Sequence, residues 1–176
     1  MRKLRTIEMN RLTVEQFREA AKMPLIVVLD DVRSMHNVGS VLRTADAFRV
    51  EQVLLCGITG TPPHAEIHKT ALGAEDSVSW RYCPSALQAV NELKAEGVTV
   101  FSVEQAEGST SLPSFQAERG GRYAVVLGNE VKGVHQEVVD ASNACLEIPQ
   151  FGTKHSMNVS VTAGIVIYHF ARCLLL

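Results

Sequence analysis

The chain has 176 residues, of which 46% are hydrophobic, and a formal net charge of -2. That length supports one compact domain and is short for two. With no overall basic field, a nucleic-acid partner needs a local patch. The four cysteines, Cys56, Cys83, Cys145 and Cys173, lie far apart without CxxC spacing. No leader-like segment is read, so reduced cysteines in the cytoplasm are expected, with no metal site. The longest apolar run, "GIVIYHFARCLLL", is interrupted by His169 and Arg172. It falls short of the roughly 18 residues that span a bilayer, so no membrane role is expected.

In chain order, residues 1–23 hold six of the 17 Lys and Arg and read as a short N-terminal extension to a domain over 24–176. Thr13 has the spacing of a helix cap before "VEQ". Five β-branched-rich runs read as strands: "LIVVLD" (25–30), "QVLLCG" (52–57), "VTVFSV" (98–103), "YAVVLG" (123–128) and "CLEIP" (145–149). The first four are nearly all apolar, as strands covered on both faces are. Helical periodicity marks 37–48, 85–97, 135–142 and the stretch from Asn158 onward. "ITGTPPH" (58–64) reads as a Gly/Pro loop, and 106–121 as a long polar loop, mobile or covering a ligand. Such alternation predicts an α/β fold of three layers with a mostly parallel sheet. Ligands in these folds collect at the carboxyl ends of strands.

Three polar clusters fall at those ends. In "NVGSVLRTADAF" (37–48), Val38, Val41, Leu42, Ala45 and Phe48 make one apolar stripe, and Arg43 projects away from it. Arg43 has two readings, a surface pair with Asp46 or Glu51, or recognition of phosphate beside a helix N-terminus at Asn37 and Gly39. "VVLGNEVKGV" (125–134) ends a buried strand between Gly128 and Gly133; Glu130 either caps a neighbouring element or orders a cationic group. It lacks the Gly-Lys-Ser/Thr of a P-loop, and no GxGxxG follows a strand, which disfavours a dinucleotide-binding dehydrogenase. "GTKHSMNVSV" (152–161) packs Lys154, His155, Ser156 and Asn158 ahead of the last apolar segment. Ser156 and Asn158 read as caps or as site residues. The helix after them is apolar almost all round, which predicts burial in the core or against another subunit.

In order and spacing, these clusters resemble the three motifs of the SpoU/TrmH family of RNA ribose 2'-O-methyltransferases, within the SPOUT superfamily. "KTALGAEDSVSW" (69–80) resembles a further family segment. The resemblance runs from about Leu25 to the end. It implies a C-terminal deep trefoil knot, S-adenosyl-L-methionine bound among the knot loops, and a homodimer with its site near the interface. By motif it assigns Arg43, Asn37, Glu130, Ser156 and Asn158 to catalysis. Leu127, Gly128, Gly133, Ile148, Gln150 and Met157 fall to the cofactor, with 102–104 nearby. The expected substrate is structured RNA, with tRNA favoured by the short N-terminal extension and rRNA the other candidate. Alternatives are a SPOUT enzyme acting on a base nitrogen and a non-catalytic RNA-binding protein on the same fold. Lys154 and His155 have two readings, surface residues or a substrate-facing pair, and His155 stays outside the catalytic set.

Overall fold

A computed structural model describes the backbone of residues 1–176 and every side chain except that of Thr6. Its strands are β1 (Met23–Asp30), β2 (Val50–Cys56), β3 (Trp80–Cys83), β4 (Thr99–Val103), β5 (Thr110–Ser111), β6 (Tyr123–Leu127) and β7 (Ala144–Glu147). They form one sheet in the order β3-β2-β1-β6-β4-β7-β5, paired in parallel throughout. The α-helices are α1 (Val14–Glu19), α2 (Met35–Ala47), α3 (Ala65–Ala71), α4 (Ala74–Ser77), α5 (Ala86–Ala95), α6 (Gln136–Ala141) and α7 (Val159–Leu174).

Alternation along the central strands divides the core in two. Leu25, Val27 and Leu29 of β1 join Val53, Leu55, Val125 and Leu127 beneath α2, α3 and α7. Ile26 and Val28 join Leu54, Val100 and Val126 beneath α5 and α6. Strands buried on both faces leave no polar alternation, which is why they read as continuous apolar runs. The expected three layers and parallel sheet are present. No helix among the described residues is long and apolar enough to cross a membrane. All four cysteines are free thiols.

Differences from the sequence reading lie at the margins. β3 is an edge strand with Tyr82 exposed and Trp80 and Arg81 only partly buried, so "WRYC" carries no apolar run. The polar segment 106–121 is tied down rather than mobile. β5 within it pairs with β7, Leu112 and Ala117 are buried, and the Phe115 carbonyl faces His169 Nε2 at 2.9 Å. Phe115 also packs against Phe101 and Phe170. A few spaced apolar anchors hold a segment whose average composition reads as loop. Thr13 caps α1 in a reciprocal box with Gln16, and Phe17 of that helix enters the core at 5% exposure.

The start of α2 differs in a way that matters for the site. Ser34 is its N-cap, accepting from the Asn37 amide at 3.3 Å. The preceding amides, of Arg33 and Ser34, are taken by a carboxylate from the β6–α6 loop, so they do not await a phosphate. Gly39 serves contact between helices, since a Cβ there would lie 2.3 Å from the Ile67 carbonyl oxygen of α3.

Candidate active site

A cavity of about 300 Å3 opens at the carboxyl ends of β4, β6 and β7. Leu127, Gly128, Ile148, Met157 and Val159 line it, with Glu104, Glu130, Gln150 and Ser156 among the polar groups. All six residues assigned to the cofactor by motif line this cavity, as do Glu130 and Ser156. Gly128 is required by close approach: a Cβ there would sit 2.1 Å from the Gly133 carbonyl carbon and the Val134 nitrogen. The turn between these glycines is closed by paired backbone bonds, Asn129 N–H to the Gly133 carbonyl at 3.0 Å and the reverse at 2.9 Å. The Asn129 side chain adds an anchor to β1, donating to the Asp31 carbonyl at 2.8 Å.

A line of side chains beside the cavity joins all three clusters. The Glu130 carboxylate accepts from the Arg33 and Ser34 amides and from Asn37 Nδ2, each at 3.0 Å. Asn37 Oδ1 accepts from Asn158 Nδ2 at 3.1 Å. Asn158 Oδ1 in turn caps α7, accepting from the Ser160 amide at 2.9 Å. Burial pushes the Glu130 carboxyl up, but the two amides and Asn37 together outweigh it and hold the group below the ordinary carboxylate range. Glu130 therefore caps α2 from a distant segment, and Asn158 is both a cap and a member of the line.

Arg43 stands apart from this line. It is exposed on α2 and has no ion-pair partner among the described residues. Neither surface partner considered for it is taken up: Asp46 accepts from Ser77 Oγ and Glu51 pairs with Arg122. Sequence reasoning passed over Gln105, Asn129 and Lys132 and left His155 aside, yet each lines the cavity. The His155 carbonyl accepts from Gln105 Nε2 at 2.7 Å, fastening the third cluster to the end of β4. Val103 and Glu104, which also line the cavity, fall in the 102–104 stretch that the resemblance placed near the cofactor.

The model of the SpoU rRNA Methylase family matches residues 24–168. The 23S rRNA (guanosine-2'-O-)-methyltransferase RlmB of Neisseria meningitidis serogroup B is 33% identical over 149 residues, covering 85% of this chain and 58% of that protein. The chain thus spans about three fifths of the length of the first curated relatives it matches. The crystal structure of the AdoMet-bound rRNA methyltransferase from Sinorhizobium meliloti superposes with a TM-score of 0.80 at 25% identity, over 90% of this chain and 62% of that one. The A. aeolicus TrmH/SpoU tRNA modifying enzyme gives 0.79 at 26% identity, over 90% of this chain and 81% of its own. With four fifths of its residues under the family model, and with the motif segments joined around one cavity, the chain belongs to the SpoU rRNA Methylase family.

Proposed function

We propose that the protein transfers a methyl group from S-adenosyl-L-methionine to a ribose 2'-hydroxyl of structured RNA, with rRNA ahead of tRNA. The observation that carries this reading is the Glu130–Asn37–Asn158 line, which brings three separated motif segments to the rim of one cavity. rRNA is preferred because the first curated relatives carry 23S rRNA in their names.

The cavity suits the cofactor. Leu127, Ile148 and Met157 offer apolar walls to a planar base, and Gly128 keeps the 128–133 turn close without filling the space. Leu127, Gly128, Gly133, Ile148, Gln150 and Met157 are the residues that would hold it. When bound, the cofactor supplies an electrophilic methyl group on a sulfonium. The protein's part is alignment and charge. Glu130 fixes the β1–α2 loop, Asn37 fixes Asn158, and Ser156 faces the cavity where a ribose would be oriented. Arg43, free to meet a ligand, grips an RNA phosphate and stabilises charge developing on the 2'-oxygen as its proton passes to solvent water. A guanidinium presents five N–H donors and no acceptor, so Arg43 acts as a donor and not as the base.

Three further parts of this reading are inferences of the same kind. The outward face of α7 leaves Val161, Ile165 and Tyr168 exposed, which supports a homodimer covering that face. Residues 24–176 form the methyltransferase domain, and cytoplasmic RNA is its substrate. The segment 148–158 threads a deep trefoil knot, supported by β7 lying between β4 and β5 and by the Gln105–His155 contact. A crystal structure with that segment unthreaded would contradict the knot.

The test incubates the protein and labelled cofactor with rRNA and, separately, with tRNA. Label entering rRNA is expected. Label in neither pool, with cofactor bound by calorimetry, overturns the activity proposed.

A further inference from the structure

Glu104 lines the cofactor cavity but stands outside the residues named above to hold the cofactor. It is the first residue after β4, and β4 lies between β6 and β7 in the sheet. It therefore leaves the sheet between the strands that carry the apolar walls, Leu127 at the end of β6 and Ile148 just after β7. Its backbone N–H donates to the Leu146 carbonyl at 3.1 Å, which continues the β4–β7 ladder and fixes where the side chain begins.

The carboxylate is oriented by the backbone around it. Oε1 accepts from the Gln105 amide at 2.9 Å and Oε2 from the Val134 amide at 3.1 Å. Gly133 makes room for it, since a Cβ there would lie 2.2 Å from Oε2. Each oxygen thus has one donor, while a carboxylate offers about four acceptor positions. No Lys, Arg or His pairs with Glu104 among the described residues. Glu104 is only half-buried and lines the cavity, so ligand donors can reach the positions left open. Glu130, the other carboxylate of the cavity, differs in that three donors already fill it.

What a ligand must bring follows from this arrangement. Two adjacent acceptors with their orientation already set match two adjacent O–H donors held on a rigid ring, as in the cis-diol of a ribose. A sulfonium has no N–H or O–H to give and leaves both positions unused. An ammonium group is a strongly hydrated point charge, ill suited to a place between apolar walls. The ribose, by contrast, is joined directly to the base that those walls suit.

We propose that Glu104 binds the ribose 2'- and 3'-hydroxyls of S-adenosyl-L-methionine, one on each carboxylate oxygen, and so selects the ribonucleoside part of the cofactor. The proposal rests on the cofactor reading above and deepens it.

Calorimetry on the full chain tests this without turnover. The ligands are S-adenosyl-L-methionine, S-adenosyl-L-homocysteine, which lacks the sulfonium charge, and three forms of the latter lacking the 2'-hydroxyl, the 3'-hydroxyl or the amino group. On wild type, each deoxy form should bind about tenfold more weakly than its parent, the loss of one charge-assisted hydrogen bond. Glu104→Gln, close in volume and still able to accept from an amide, should weaken both parent ligands by one common factor of about tenfold. On that variant each deoxy penalty should shrink to about threefold or less, while the penalty for the missing amino group matches wild type. A role confined to holding the 128–134 turn lowers all affinities in parallel and leaves the deoxy penalties intact, which overturns the proposal. So does a wild type indifferent to either hydroxyl, a result that needs no variant to fold. A variant that weakens the sulfonium ligand alone, or erases the amino penalty instead, reassigns the carboxylate to a cationic part of the cofactor and overturns it too. Wild type binding neither parent ligand overturns the cofactor reading itself.

Discussion

The Glu130 carboxylate takes three donors at the entry to α2, the backbone amides of Arg33 and of the N-cap Ser34 and the Asn37 side chain, so one side chain ties down the β1–α2 loop and locates Asn37. Its pKa is lower in the folded chain than in the unfolded one, which fixes the sign of its pH dependence. The stabilisation is complete above the ordinary carboxylate range and disappears as pH falls through the lowered folded value. Glu130→Gln should therefore be less stable than wild type at neutral pH, with the difference closing in acid; urea unfolding across a pH series checks this. Arg43 is separable from that scaffold because it bonds to none of it. Arg43→Ala should lose about a hundredfold or more in single-turnover transfer, the cost typical of removing one donor to a developing anion. Calorimetry should find its cofactor affinity unchanged, and loss of cofactor binding would mean its role was misassigned. Arg43→Lys with near-normal turnover would count against a need for the fork-shaped guanidinium. The types of these residues were legible in the sequence, but their partners were not. Nothing in the spacing of Asn37, Glu130 and Asn158 says that loops 93 and 121 residues apart meet, as the Asn37–Glu130 and Asn37–Asn158 bonds require. A phosphate at the start of α2 was one of two readings from the sequence, and the carboxylate that takes the Arg33 and Ser34 amides there comes from a segment whose proximity is invisible until the sheet order is known.

Elements were readable where one physical signal dominated. Central strands gave apolar runs, α2 and α5 gave a clear stripe, and Thr13 gave a cap. β3 and β5 were missed because an edge strand and a two-residue strand carry too few buried positions to form a pattern. α3 and α4, of seven and four residues, are held by packing on α2 more than by periodicity. The apolar character of α7 was plain, but the structure sorts it: Val166, Ile167 and Phe170 are fully buried, while Val161, Ile165 and Tyr168 remain uncovered. Replacing Ile165 with Glu on that outer face should leave the monomer fold intact and shift a dimer to monomer, which sedimentation velocity resolves. Unchanged dimerisation would place the interface elsewhere.

At the scale of the molecule, a parallel sheet gathers the carboxyl ends of β4, β6 and β7 on one edge of the layer, and the loops leaving them supply the cavity walls. Residues that no local pattern joins, such as Gln105 and His155, meet because β4 and β7 are neighbours in the sheet. The three-layer order followed from alternation of strands and helices; the convergence of loops followed only from the strand order. Family membership and this convergence together support the proposed methylation of a ribose oxygen with Arg43 at the reacting end. The most direct measurement is mass spectrometry of nucleosides from rRNA treated with protein and cofactor. The added methyl is expected on the ribose fragment, and absent with Arg43→Ala. A methyl group on the base fragment, or one retained undiminished with Arg43→Ala, would contradict it.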